Sequence, residues 1–217
     1  MIAPNRLILA NDLPGLGKVA LSASLPLLAA CQVEAAILPT VILSSHSGGF
    51  PSVYVEEFGD GLGYFLQQWQ EIGLTAQGLV TGYIKSPETL KKLADFAIGQ
   101  DIPLIVDPIM GDHGKLYTGF DDAFVKEMKT LISVADIILP NMTEAALLTD
   151  SDIILENQSG EYIMSIIHKL RELGAKNVIL KGIKNMEGKL GIAVYEGETD
   201  NMEIFYIDRI KKDAHGT

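Results

Sequence analysis

The sequence predicts an α/β fold of three layers: a mostly parallel sheet with helices on both faces, and a β-hairpin closing the chain near its C-terminus. Three observations predict it. Short apolar runs alternate with longer helix-like segments along most of the chain. The runs in the first two-thirds are apolar on both faces, as parallel strands are when helices cover them. Polar residues follow directly after the runs, at the carboxyl ends where open parallel sheets bind ligands. A length of 217 residues suits one domain spanning the chain, and 47% hydrophobic against 21% charged residues leaves enough apolar side chain for a sizeable core.

The elements follow in order. RLILAN (6–11) reads as a buried strand, and GKVALSASLPLLAACQ (17–32) as a helix kinked or shifted at Pro26. EAAILPT (34–40) is strand-like, EEFGDGLGYFLQQWQEIG (56–73) helical with glycines in it, and GLVTGYI (78–84) a strand. In SPETLKKLADFAI, Ser86 is placed to cap a helix and Pro87 to occupy its first turn. PLIVDPIM (103–110) is an apolar strand ending in an Asp; DAFVKEMKTLISVA (122–135) sets Phe124, Met128, Leu131 and Ala135 on one helix face. DIILPN (136–141) is a strand. EYIMSIIHKLRELG (161–174) gathers Ile163, Ile166, Ile167, Leu170 and Leu173, with Gly174 as its stop. NVILKGI (177–183) is a strand, and KLGIAVYEG with MEIFYID forms the closing hairpin.

A formal net charge of −11 argues against nucleic acid or an anionic membrane as partner, although a phosphorylated small molecule responds to local N–H groups, helix ends and metal ions instead. Cys31 is the single cysteine, so no internal disulfide forms and nothing points to secretion. No apolar run is long enough to span a bilayer, and the expected location is cytoplasmic.

The strand ends carry Asn11-Asp12, Thr40, Thr81-Gly82-Tyr83, Asp107-Pro108, Pro140-Asn141 and Lys181-Gly182. Each is ordinary alone; together they mark a site. GLGKVA (15–20) fits a dinucleotide fingerprint, yet the acidic residue it requires at the end of the next strand is absent, where Pro39 and Thr40 stand instead. Ser44, Ser45, His46 and Ser47 invite a Ser–His nucleophile, but neighbours in sequence rarely reach that geometry; a polar loop hinged at Gly48-Gly49 and folding over a small ligand is the alternative. In DPIMGDHGKLY, Asp107 and Asp112 flank a glycine turn and can share a metal ion or its waters, or simply form a solvated loop. In PNMTE, Asn141 and Glu144 have the spacing of a capping box, which alone accounts for them.

These stretches resemble the pyridoxal and pyridoxamine kinases of the ribokinase-like superfamily. NDLPGLGKVALSASLPLLAA, LPTVILSSHSGGFPS, DPIMGDHGKLY, PNMTEAALLT and AHGT carry the resemblance over nearly the whole chain. It implies ATP-dependent, Mg²⁺-assisted phosphorylation of the hydroxymethyl group of a pyridine. It further implies a substrate pocket of Asp12, Thr40, His46 and Tyr83, a metal set of Asp107, Asp112 and Glu144, and an ATP side with Asp112, Tyr117, Asn141 and Lys181. Where many relatives have hydroxyl residues near a monovalent cation, this chain has Leu139 and Lys181, so the ammonium is expected to replace K⁺. Two other readings stay open: a hydroxymethylpyrimidine kinase of thiamine synthesis, and a non-catalytic vitamer- or nucleotide-binding protein.

In that family Gly-Thr continues into Gly-Asp at the start of a helix, whose N–H groups hold the moving phosphate and whose Asp is the base. Here Gly216 and Thr217 are the last residues. The expectation is a shortened form of a longer enzyme, with half an anion hole, no assigned catalytic residue, weak turnover and, through an exposed apolar face, homodimer formation.

Overall fold

The computed structural model describes residues 5–46, 50 and 52–210. Among them are eleven strands and six helices. Internal contacts divide the chain after Leu104 into two compact units.

The first unit is built on β1 (Arg6–Pro14), which pairs in parallel with β2 (Glu34–Leu43) and with β4 (Leu79–Thr81). β3 (Val55–Glu57) adds antiparallel to the far end of β2, giving the order β4-β1-β2-β3. The β1–β2 register runs from Arg6 opposite Glu34 to Asn11 opposite Pro39, then slips, so that Leu13 faces Ile42. Asp12 lies in that slip, the kind of irregularity that re-aims a side chain. β3 was not legible in the sequence; Glu56 and Glu57 belong to it, and the helix expected from Glu56 begins only at Gly59.

The first two helices pack on this sheet, and the third packs against the second. α1 (Ala20–Ala30) lies on β1 and β2 and runs through Pro26. It carries no charge and is apolar on every side, yet only Leu21 is fully buried. α2 (Gly59–Glu71) buries Leu62 and Leu66. α3 (Pro87–Gln100) begins as its sequence predicts: Ser86 Oγ accepts from Thr89 N at 3.4 Å, and Pro87 takes the first position, where a missing N–H costs nothing.

The second unit holds β5 (Leu104–Val106), β8 (Ile137–Ile138) and β9 (Asn177–Ile183) in parallel, with β10 (Lys189–Glu196) and β11 (Asn201–Asp208) closing antiparallel. A small hairpin of β6 (Gly111–Asp112) and β7 (Lys115–Leu116) stands apart from this sheet. Helix α4 (Asp122–Ile132) buries Phe124, Met128 and Leu131 as expected. α5 (Met142–Leu148) follows Pro140-Asn141, and α6 (Gly160–Glu172) buries Ile163, Ile166, Ile167 and Leu170. Gly174, at φ +113, ends α6 in a conformation L side chains rarely adopt.

The closing hairpin has two unlike faces. Gly191, Ala193 and Tyr195 are buried. Ile192 sits opposite Phe205 and Leu190 opposite Ile207 on the other face. There Ile192, Phe205 and Ile207 are 39%, 57% and 63% exposed. The α/β architecture with mostly parallel strands and a terminal hairpin is therefore as the sequence predicts. Among the described residues no helix is long and apolar enough to cross a membrane.

Candidate active site

In the first unit, the polar ends of β1, β2 and β4 are tied together by hydrogen bonds. Thr40 Oγ donates to the Tyr83 carbonyl at 2.6 Å. Asn11 Oδ1 accepts from both Asp12 N, at 2.9 Å, and Tyr83 N, at 2.8 Å. Asp12 is 7% exposed, and burial lifts its carboxyl from 3.8 to about 6. The Tyr83 phenol is raised by burial first, then by the charges of Asp12 and Glu57, so it stays a hydrogen-bond donor. Asp12, Thr40 and Tyr83 are thus one constellation.

His46 belongs to a neighbouring loop. Its N–H donates to the Leu16 carbonyl at 3.0 Å, and its ring meets Phe50 edge-on at 4.8 Å. Gly17 has φ +114, and a Cβ there would lie 2.4 Å from His46 Cδ2. Gly15 N donates to the Leu43 carbonyl at 2.7 Å. The glycines that mimic a dinucleotide fingerprint therefore let this turn lie against the end of β2 and under His46. Ser47, Gly48 and Gly49, the rest of the loop expected to fold over a ligand, lie outside the described residues.

In the second unit, β5 delivers Asp107 and β9 delivers Lys181. Lys181 Nζ donates to Asp107 Oδ2 at 2.7 Å. Asp107 Oδ1 is buried and meets no hydrogen-bond partner. Burial raises the Asp107 carboxyl, and Lys181 opposes that rise. Asn141 and Glu144 form the capping box their spacing predicts. Asn141 Oδ1 accepts from Glu144 N at 2.9 Å, and Glu144 Oε2 accepts from Asn141 N at 2.7 Å. The box also reaches outward: Glu144 Oε1 accepts from Met110 N at 3.3 Å, and Asn141 Nδ2 donates to the Gly111 carbonyl at 2.9 Å. It thereby pins the loop after Asp107 to the start of α5. Glu144 is 2% exposed, and burial, then the Asp107 charge, pushes its carboxyl from 4.5 to about 8.

Asp112 sits in the β6–β7 hairpin, where its Oδ1 accepts from His113 N at 2.7 Å. The Tyr117 phenol is pushed up to about 12 by burial and then by Asp112, Glu144 and Asp107, which places all three carboxylates within its electrostatic reach. They do not close into one chelating set. Among the described residues no group of three or more His, Cys, Asp or Glu side chains is gathered to hold a metal ion. Both Glu144 oxygens accept backbone N–H groups, and Asp112 Oδ1 accepts from His113 N. Asp107 fits a cation best, because its free buried oxygen is the kind of atom that a metal or a metal-bound water satisfies.

Sequence reading set Asn11 among the strand-end residues but gave it no role, and it gave none to Met110 or Gly111. Gly82 offered a signal for Asn11, since a glycine at a strand end often marks close approach by another chain segment. The anion-hole residues Gly216 and Thr217 lie outside the described residues.

An α/β fold with a mostly parallel sheet, polar residues at its strand ends and a closing hairpin is the architecture of the ribokinase-like kinases. Residues 67–217 match the phosphomethylpyrimidine kinase family, and the chain belongs to that family. A crystal structure from Bacteroides thetaiotaomicron, itself provisionally assigned as a phosphomethylpyrimidine kinase, superposes with a TM-score of 0.92 at 27% identity, covering 98% of this chain and 74% of its own. Pyridoxal kinase from Lactobacillus plantarum gives 0.88 at 30% identity, covering 98% and 75%. The hydroxymethylpyrimidine/phosphomethylpyrimidine kinase of Staphylococcus aureus strain MSSA476 is 27% identical over 142 residues, covering 63% of this chain and 49% of that protein. The chain spans between 36% and 49% of the length of the first curated relatives it matches.

Proposed function

We propose that this chain serves ATP-dependent phosphorylation of the hydroxymethyl group of pyridoxal, pyridoxamine or pyridoxine. The observation that carries the kinase reading is the Asp107–Lys181 pair beside the buried Glu144. Phosphoryl transfer needs mainly positioning and charge neutralisation. Lys181 supplies a fixed ammonium toward the nucleotide phosphates. Tyr117, protonated at any ordinary pH, supplies a donor to the same ligand. Asp107 would hold Mg²⁺ or its waters, with Asp112 and Glu144 shaping the field around it; bound there, the metal neutralises charge on the phosphates. Asn141 acts by fixing the loop that carries Asp107.

The substrate falls to Asp12, Thr40, Tyr83 and His46. Asp12 accepts from a polar ring substituent, Tyr83 donates, and the His46 ring offers a face to a heteroaromatic ligand. The pyridine reading draws support from the Lactobacillus pyridoxal kinase and from a second crystal form of the Bacteroides protein, 27% identical, solved with pyridoxal. The family's own description and the staphylococcal relative favour a second reading, a hydroxymethylpyrimidine. Cytoplasmic residence and a homodimer complete the proposal.

Ligand-induced stabilisation separates the two. A ligand present at about 100 times its Kd adds about 2.7 kcal/mol to the folded state. The expected result is a higher melting temperature with pyridoxal or pyridoxamine, and a further rise with ATP and Mg²⁺. A shift with hydroxymethylpyrimidine alone would transfer the assignment to the second reading. No shift with ATP and Mg²⁺ would remove the kinase reading.

A further inference from the structure

Two backbone N–H groups from strands far apart in sequence converge on one side-chain atom. Asp12 N and Tyr83 N both donate to Asn11 Oδ1, at 2.9 and 2.8 Å. Because both partners are donors, the atom facing them is the amide oxygen. The Asn11 amide packs directly against Gly82: a Cβ there would lie 2.2 Å from Asn11 Oδ1 and 2.3 Å from its Cγ. Gly82 does not have a positive φ, so its lack of a side chain answers to Asn11 and not to a strained backbone. From the other side, Thr40 Oγ holds the Tyr83 carbonyl. The peptide groups of Tyr83 are therefore gripped at both ends, N–H by β1 and C=O by β2, while the same Asn11 oxygen fixes Asp12 in the slipped step between β1 and β2.

We propose that Asn11 is a positioning residue for substrate binding, setting Asp12 and Tyr83 relative to each other, with Gly82 providing the room it occupies. The proposal rests on the assignment of Asp12 and Tyr83 to the substrate. Asn11 touches no reacting atom in this scheme; it acts through the two residues it holds. Loss of its oxygen leaves two N–H groups without their partner and frees the segment after β4 to drift. A binding pair displaced by a fraction of an ångström loses affinity for its ligand. The ATP-binding residues stand on other elements and are unaffected.

The test uses Asn11→Ala, Gly82→Ala, the double variant and Asn11→Asp, which keeps an oxygen able to accept both N–H groups. Binding of pyridoxal and of hydroxymethylpyrimidine is measured by calorimetry, alongside binding of ATP with Mg²⁺ and urea stability. Asn11→Ala is expected to weaken binding of whichever ring compound the unaltered chain takes by about tenfold or more, leaving ATP affinity within about twofold. Gly82→Ala is expected to do the same by displacing the amide, and to add nothing in the Asn11→Ala background, because there its Cβ has space. Asn11→Asp is expected to retain more affinity than Asn11→Ala. A folded Asn11→Ala that binds the ring compound as the unaltered chain does would overturn the positioning role alone. Equal, additive losses for ring compound and ATP would reduce it to general stability. An unaltered chain that binds neither ring compound would instead remove the substrate assignment on which the role depends.

Discussion

Glu144 offers a measurable consequence of burying a carboxyl beside another carboxylate. Its pKa moves from 4.5 to about 8 on folding, through burial and then the Asp107 charge, against the opposing pull of the Asn141 and Met110 N–H groups and of Lys181. The folded state therefore holds a proton that the unfolded chain releases near pH 4.5. Stability from this group is complete below that pH, declines as pH rises, and is lost above about 8. One proton difference is worth about 1.4 kcal/mol per pH unit, so Glu144 removes about 2–3 kcal/mol between pH 6 and pH 8. Glu144→Gln abolishes this titration. The amide keeps one acceptor oxygen but turns an NH₂ toward the other backbone N–H, which costs about 1–3 kcal/mol at every pH. The variant is therefore expected to be less stable at pH 6 and to draw level with, or pass, the unaltered protein by pH 8. Urea unfolding at fixed ionic strength without Mg²⁺, at half-unit steps, measures the gap. A gap that stays constant over this range would refute the reasoning, because Glu144 would then be ionised throughout.

Two further outcomes follow from the geometry. Gly17→Ala places a Cβ at φ +114 and against the His46 ring, so it should cost about 1–3 kcal/mol in unfolding experiments and weaken vitamer binding by tilting that ring. Lys181→Met leaves Asp107 half-buried without its cation; it should lose about 1–3 kcal/mol in chemical denaturation, and nucleotide affinity should fall. ATP binding by the unaltered chain should not respond to K⁺, and a strong K⁺ requirement in a titration would refute the role given to the ammonium.

The parallel core was readable because its strands need no alternation: Ile8, Leu38, Leu79 and Val178 are buried under helices, and uninterrupted apolar runs announce that. The caps were readable for the same local reason, as at Ser86 and in the Asn141–Glu144 box. β3 was not. Val55, Glu56 and Glu57 are all exposed, and what makes them a strand is pairing with the end of β2, which the sequence does not display. Similarly, PNMTE reveals a capping pair, but not that the second carboxylate oxygen reaches back to Met110, thirty-four positions earlier in the chain. The acidic trio was legible as residue types, but not the backbone N–H groups of His113, Asn141 and Met110 that engage Asp112 and Glu144. Long-range tethers of this kind depend on which loops meet, and spacing along the chain does not encode that.

The outward face of the closing hairpin has a consequence at the bench. Among the described residues β11 is an edge strand, joined to β10 through eight opposed residue pairs from Asn201 to Asp208, with Phe205 and Ile207 turned to solvent. Such an edge invites another strand to add to it. Charge opposes such addition: Glu203 stands on that strand and the chain carries a net −11, while Asp208 is paired with Lys189. At 0.1 M salt the Debye length is about 10 Å, and at 1 M about 3 Å, so concentrated salt removes the repulsion while strengthening apolar attraction. Ammonium sulfate fractionation and high-salt elution are therefore the steps in which this protein will clump, and dilute buffer above its pI of 4.7 is where it keeps.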